Sequence, residues 1–327
     1  MNRRRASALL AAATVAMVAA CSSPLPEPQP DAVPATVLAA VSTDQVDRIL
    51  AEVGEALQAG DAAGDAQALV PRVSGPALIF RTVEYRLAAA GDTGAVRQIP
   101  PAAQTIVAPA TDVWPRTVLV VTESPEDLTA PLLLTLVQAG PREPFTLWSW
   151  VRLFPGVQVP ATTQPEIGSA PVDPADADLA IPPAEVVPRY VDTLTNGTAS
   201  AFAASFVPDD PLRAGITGVR NQYASVITDK GSLTETYQPV ETTYAIATAD
   251  GGAIVVGAFQ TVTTLTLVDS TLTIGGPAAA LLGTSTVTSS LAITWLSTVA
   301  FAVPPAGSDA PVTVLGGEHS PIQVTGG

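Results

Sequence analysis

The chain has 327 residues, with 30 acidic side chains against 15 basic ones and a formal charge of −15. That balance excludes a nucleic-acid binder and excludes docking on anionic lipid through basic patches. One cysteine excludes an intramolecular disulfide, and one histidine beside it leaves too few ligands for a zinc or other transition-metal site.

At the N-terminus, Arg3-Arg4-Arg5 precede an uncharged run from Ala6 to Ala20. A basic segment followed by a short apolar one is the pattern of a secretory signal peptide. The run falls short of the roughly 20 residues that a bilayer-spanning helix needs. Small side chains at Ala19 and Ala20 suit the extended backbone of a peptidase site. Val18-Ala19-Ala20-Cys21 resembles a bacterial lipobox. The resemblance implies cleavage before Cys21, thioether lipidation of its sulfur and acylation of the new amino terminus. Residues 1–20 are then a lipoprotein signal peptide, and loss of its three arginines moves the charge from −15 to about −18. Two or three acyl chains bind a membrane stably where one does not.

Residues 21–36 contain Pro24, Pro26, Pro28, Pro30 and Pro34, a composition that forms neither helix nor sheet and reads as an extended tether. A second proline-rich stretch, residues 156–183, reads as a linker between a first domain at 37–155 and a second at 184–327. The two segments look like copies. Leu57-Gln58-Ala59-Gly60 and Leu69-Val70-Pro71 align with Leu194-Thr195-Asn196-Gly197 and Phe206-Val207-Pro208, and Val118-Leu119-Val120 aligns with Ile254-Val255-Val256.

The first copy opens with a helix. Ser42 and Gln45 form a potential capping box, Val46, Ile49, Leu50, Val53 and Leu57 share a face, and Gly60 supplies a C-terminal stop. Shorter helices are predicted at 65–70 and 76–89, then strands at 105–108, 116–122, 131–138 and 145–154. The second copy repeats that order, with helices at 186–194, 199–206 and 211–227 and strands at 241–248, 253–267, 285–302 and 311–315. "GGPAAALLG" from Gly275 reads as an insertion between strands. Helices first and an antiparallel sheet afterwards predict an α+β fold, a tandem duplication of domains with helices on one face of a curved sheet. That order resembles the NTF2-like and cystatin-like folds. The strands "LLGTSTVT" (Leu281–Thr288) and "VAFAVPPAGS" (Val299–Ser308) resemble an actinobacterial envelope lipoprotein family with a domain of unknown function. The resemblance implies a lipid-anchored location and brings no activity with it.

Catalytic chemistry is thinly provided for. His319, in "GGEHSPIQ", reads as a surface histidine in a tail loop, and Cys21 is committed to lipid. The acidic groups Glu123/Glu126/Asp127, Asp173/Asp176/Asp178 and Asp209/Asp210 lack the spacing of an EF-hand. Neither a metal nor a cofactor is expected. Glu84/Tyr85 and Glu241/Tyr244 are acid–tyrosine pairs of the kind that runs proton transfer in a buried pocket, although on amphipathic elements they read as solvent-facing. In "FTLWSWVRLF", alternation puts Trp148, Trp150, Arg152 and Phe154 on one strand face. That face reads either as a ligand or interface platform for wall glycan or another partner, or as core buried on both sides. The expected function is non-enzymatic: a lipoprotein on the outer face of the cytoplasmic membrane, attached through Cys21, that binds or scaffolds an envelope protein or glycan. The alternative is a small-molecule or glycan-binding lipoprotein using a domain pocket or the Trp148/Trp150 face. A carboxylate-based enzyme ranks third.

Overall fold

The computed structural model describes residues 37–70, 72–124 and 130–327. The expected signal peptide, Cys21, the expected tether, Pro71, Glu126 and Asp127 lie outside the described residues. Among the described residues there are five α-helices: α1 Thr43–Ala63, α2 Gly75–Ala89, α3 Pro183–Asn196, α4 Pro211–Ile227 and α5 Gly276–Leu282. The strands are β1 Ala103–Val107, β2 Arg116–Thr122, β3 Leu132–Gln138, β4 Thr146–Leu153, β5 Gly231–Pro239, β6 Tyr244–Ala247, β7 Ala253–Leu267, β8 Leu272–Thr273, β9 Thr286–Val287, β10 Ser290–Val303 and β11 Thr313–Gly326. The fold is α+β, with a large antiparallel sheet.

Local chemistry explains α1. The Ser42 hydroxyl accepts from the Gln45 N–H and the Gln45 side chain accepts from the Ser42 N–H, a complete capping box. Val46, Leu50, Val53 and Leu57 form its buried stripe, each worth roughly 1.5–3 kcal/mol of burial. The helix passes Gly60 and stops at Gly64, in the left-handed conformation. Gly60 serves packing instead: an added Cβ would lie 2.6 Å from both the Leu69 side chain and the Tyr85 hydroxyl. The helix expected at 199–206 is two 3₁₀ turns, Gly197–Ala199 and Ala203–Ser205. The strand expected at 311–315 runs on to Gly326, and this places His319 within a sheet rather than in a tail loop.

Nine strands form one sheet in the order β1-β2-β3-β4-β11-β10-β7-β5, with β6 also paired to β7. Each half is an antiparallel meander, and the last strands of the two halves lie side by side at the centre. The halves also share a detail. After its 3₁₀ turn, the first half forms a parallel bridge between Val73 and Leu147 of β4; the second forms one between Phe206 and Val312 beside β11. Direct pairing of β4 with β11 is short, Gly316 with Leu153 and Gly317 with Arg152.

Alternate residues of β7 serve different cores. Ala253, Val255 and Phe259 pack with Val186, Tyr190 and Leu212 of α3 and α4, whereas Ile254, Val256 and Ala258 join the core of the first half. Tyr244 of β6 meets Trp148 of β4 edge-on at 4.9 Å. A sheet whose two ends share a core across one face is coiled. The stretch 156–183 closes that coil. Ser169 exchanges backbone hydrogen bonds with Ala108 and Ala110 beyond β1, while Ala170 and Val172 bond to Ala247 and Ala245 of β6. The proline-rich segment is therefore a bonded strap, held through its non-proline amides, and not a free spacer. Among the described residues, no helix is long and apolar enough to cross a membrane.

Candidate functional site

The face of α2 turned away from solvent carries Arg81, Glu84 and Tyr85, spaced by three and four residues. Arg81 is only 1% exposed. Its Nη1 donates to Glu84 Oε2 at 2.8 Å and to the Arg97 carbonyl at 2.9 Å, and its Nε lies 3.6 Å from Asp61 Oδ1. Its guanidinium also sits 5.8 Å from the Trp150 ring centroid. The Tyr85 hydroxyl donates to Asp61 at 2.7 Å. The loop after α2 brings Arg97 back, with Nε 3.7 Å from Glu84 Oε1. Arg97 pairs as well with Glu318 of β11, and its Nη2 donates to the Ser320 hydroxyl at 3.4 Å.

Beside this network lies a cavity of about 320 Å³ between α2, the 92–97 loop, α5 and β11. Glu84, Arg97 and His319 converge on it from three elements, and Phe80, Val83, Leu87, Pro277 and Pro321 supply apolar wall. The His319 ring stacks on Trp295, with centroids 4.8 Å apart and planes at 11°, and its Nδ1 is 2.8 Å from the Ser297 hydroxyl. On the other side of Arg81 a wider, open groove of about 800 Å³ is lined by Asp47, Gln58, Asp61 and Gln98. The smaller cavity is the stronger candidate, because displaced proton affinities and apolar wall coincide there.

Burial raises the Glu84 carboxyl to about 7, against the pull of Arg81 and Arg97 and with Glu318 adding to the rise. Burial lowers His319 to about 4, so the imidazole is neutral. Burial, then the Asp61 contact, keeps the Tyr85 phenol protonated. The first two shifts act oppositely on stability. The folded state holds the Glu84 proton that the unfolded chain loses between pH 4.5 and about 7, so this contribution falls as pH rises through that window. The unfolded chain binds the His319 proton between pH 6.5 and about 4 while the folded one does not, so that contribution falls as pH drops. Each is worth on the order of 3 kcal/mol, and between pH 4.5 and 6.5 they nearly cancel. Glu84→Gln removes one side of the balance. In denaturant melts it is expected to lose about 2–3 kcal/mol relative to the parent on going from pH 6.5 to 4.5. A parent–variant difference that stays constant with pH would contradict this account.

The sequence-predicted platform takes a different place. Trp150 is 1% exposed and packs on Phe80 at 5.5 Å, and Trp148 is buried against Tyr244 and the first turn of α2. Arg152 donates to the Ala130 carbonyl at 2.7 Å, and Phe154 packs partly buried against the core under α3. Thus the two indoles are core, not an exposed stacking surface. Glu84 and Tyr85 face inward, whereas Glu241 is exposed and apart from any such network. Asp210 caps α4 and accepts from the Tyr190 hydroxyl at 2.8 Å. Asp173 and Asp176 close local turns. Among the described residues, no group of three or more His, Cys, Asp or Glu side chains is placed to hold a metal ion. Arg97, Glu318 and Ser320 had no signal in the sequence. Their partners are remote, with Arg97 and Ser320 separated by 223 positions.

The sequence matches the family described as Domain of unknown function (DUF8094) over residues 38–326. The chain belongs to this family. The DUF8094 match takes in both helix-then-sheet halves, the strap and every residue of the cavity. No curated protein and no solved structure matches the chain.

Proposed function

We propose that this protein is a lipid-anchored envelope protein whose DUF8094 region binds a small molecule, without turnover, in the cavity between α2, α5 and β11. The observation that carries the reading is the convergence of Glu84, Arg97 and His319 on a partly open cavity with apolar wall. Burial of Trp148 and Trp150 moves the binding reading from the strand face to the cavity. A crystal-soaking fragment screen tests it. Fragments are expected between Phe80, Leu87 and His319, and are expected to disappear in Ala95→Phe, which fills the space. Fragments that settle elsewhere and never there would defeat the reading.

The anchor belongs to the same proposal and rests on Arg3–Arg5, the apolar run and Val18-Ala19-Ala20-Cys21. Attachment is to the outer face of the cytoplasmic membrane. Cys21→Ala is expected to leave the membrane fraction or to accumulate as unprocessed precursor, read by fractionation and intact mass. A fully membrane-bound, mature Cys21→Ala protein would refute lipidation at that sulfur. We also read the two halves as duplicates, supported by the mirrored strand order and the matching parallel bridges at Val73–Leu147 and Phe206–Val312.

A further inference from the structure

We propose that the corner of the fold carrying Val37, Leu38, Val113, Trp114 and Ile167 rests on the phospholipid surface of the membrane to which the chain is anchored. The inference depends on the anchor reading above and adds an interaction surface to it. These five side chains are exposed by 51, 63, 60, 36 and 55%. Among the described residues they are the larger part of the exposed large apolar side chains. Backbone bonds draw them together. An antiparallel bridge between Ala39 and Ala110 sets residues 37–38 beside residues 111–113, and the Ala40 N–H donates to the Pro109 carbonyl at 2.8 Å. The Ala110 N–H donates to the Ser169 carbonyl at 2.8 Å. An added Cβ at Gly168 would lie 3.1 Å from the Ala39 Cα, so Ile167 adjoins the same corner. Three segments far apart in sequence thus present carbon to solvent in one place. A lone exposed apolar side chain needs no partner, but a group of them marks an interaction surface.

Chain length and side-chain chemistry choose the occupant. Residues 21–36 separate Cys21 from Val37, so a lipid on Cys21 holds this corner within about 55 Å of the bilayer. Val37, the residue that this segment joins, is itself part of the apolar group. A short tether makes the local concentration of the surface millimolar, so a contact too weak to capture a free partner is still populated. Of the four tryptophans, only Trp114 is exposed. Its indole N–H donates to Gln138 at 3.2 Å, and the Arg116 guanidinium lies 4.2 Å from its ring centroid. An indole at headgroup depth with a guanidinium reaching phosphate is a pairing suited to the membrane–water interface. Arg48 and Arg116 line a hollow of about 270 Å³ beside Ala40, where Glu52 is taken up by Arg72 at 2.7 Å. Asp112 and Glu166 are exposed at the rim and oppose an anionic surface. The fitting partner is therefore zwitterionic phospholipid, held by apolar contact.

Coupling the full-length chain through Cys21, its single cysteine, to a maleimide-bearing phospholipid in phosphatidylcholine vesicles tests the inference. That bond supplies an anchor whatever the cell does to the sulfur. Brominated acyl chains are expected to quench Trp114 emission, and Trp114→Phe is expected to abolish the quenching, because Trp148, Trp150 and Trp295 are buried. Amide exchange at residues 111–114 should slow on vesicles relative to the uncoupled chain. Leu38→Asp/Val113→Asp is expected to lower the docked-to-undocked ratio by about tenfold or more. The quenching and exchange of the parent protein stand even if that variant folds poorly. No quenching in the coupled parent, or quenching that survives Trp114→Phe, overturns the docking surface. The anchor is judged separately, by fractionation of Cys21→Ala. A dimer of the uncoupled chain in sedimentation velocity that Leu38→Asp/Val113→Asp dissociates would assign the corner to a second copy and overturn the membrane assignment.

Discussion

Arg81→Met is expected to lower the unfolding free energy by about 3 kcal/mol, because it leaves the buried Glu84 carboxyl without its ion-pair partner. Arg81 is 1% exposed and serves Glu84, Asp61 and the Arg97 carbonyl together. The lost contact with the Trp150 face adds to the deficit. A drop of roughly 5–10 °C in the thermal midpoint is the corresponding readout. The companion variant Arg81→Met/Glu84→Met separates charge from packing. Replacing a buried ion pair by apolar groups of similar size is often close to neutral, so the double variant should recover at least about 2 kcal/mol of the loss. Strict additivity of the two substitutions, or a single variant within 1 kcal/mol of the parent, would contradict the role given to Arg81.

Gly316→Ala is expected to cost about 3 kcal/mol and to loosen the seam between the two halves. A Cβ at Gly316 would lie 2.4 Å from the Arg152 carbonyl oxygen and 2.9 Å from the Leu153 Cα, both backbone atoms that have no side-chain torsion with which to move aside. This is where β4 meets β11, across a pairing limited to Gly316 with Leu153 and Gly317 with Arg152. The Phe154 amide, which donates to the Leu315 carbonyl at 3.0 Å, is the natural reporter. Its hydrogen exchange should accelerate toward the rate of global opening. Gly218→Ala is the control, since nothing lies within 4 Å of its added Cβ on α4. It should stabilise by about 0.5–1 kcal/mol through helix propensity. If Gly316→Ala behaved like Gly218→Ala, the seam would not be the tight contact described.

Much of the fold was legible from short-range pattern. The Ser42/Gln45 capping box, the stripe from Val46 to Leu57, and β2, α4 and β7 all appear where periodicity puts them, because those signals lie within a few residues of one another. The errors share one cause. Gly60 resembles a helix stop and is a packing contact with Leu69 and Tyr85. The proline-rich stretch resembles a spacer and closes the sheet. The alternation of Trp148 and Trp150 was not such an error: it left platform and buried core both open, and the structure covers both faces of β4. In each case a remote partner decided the outcome, and local composition carries no record of that partner.

The sequence by itself determined the charge, the scarcity of metal and nucleophile ligands, the lipobox-like start and most of the order of helices and strands, though not β5 or α5. These depend on residue type and on spacings of two to seven positions. Tertiary structure alone decided that β4 meets β11, that His319 stacks on Trp295, and that Glu84 is buried between Arg81 and Arg97 with Glu318 beyond. A proton affinity reflects desolvation and neighbouring charge. For Glu84 both come from elements far along the chain, so the cavity became visible only once those elements packed.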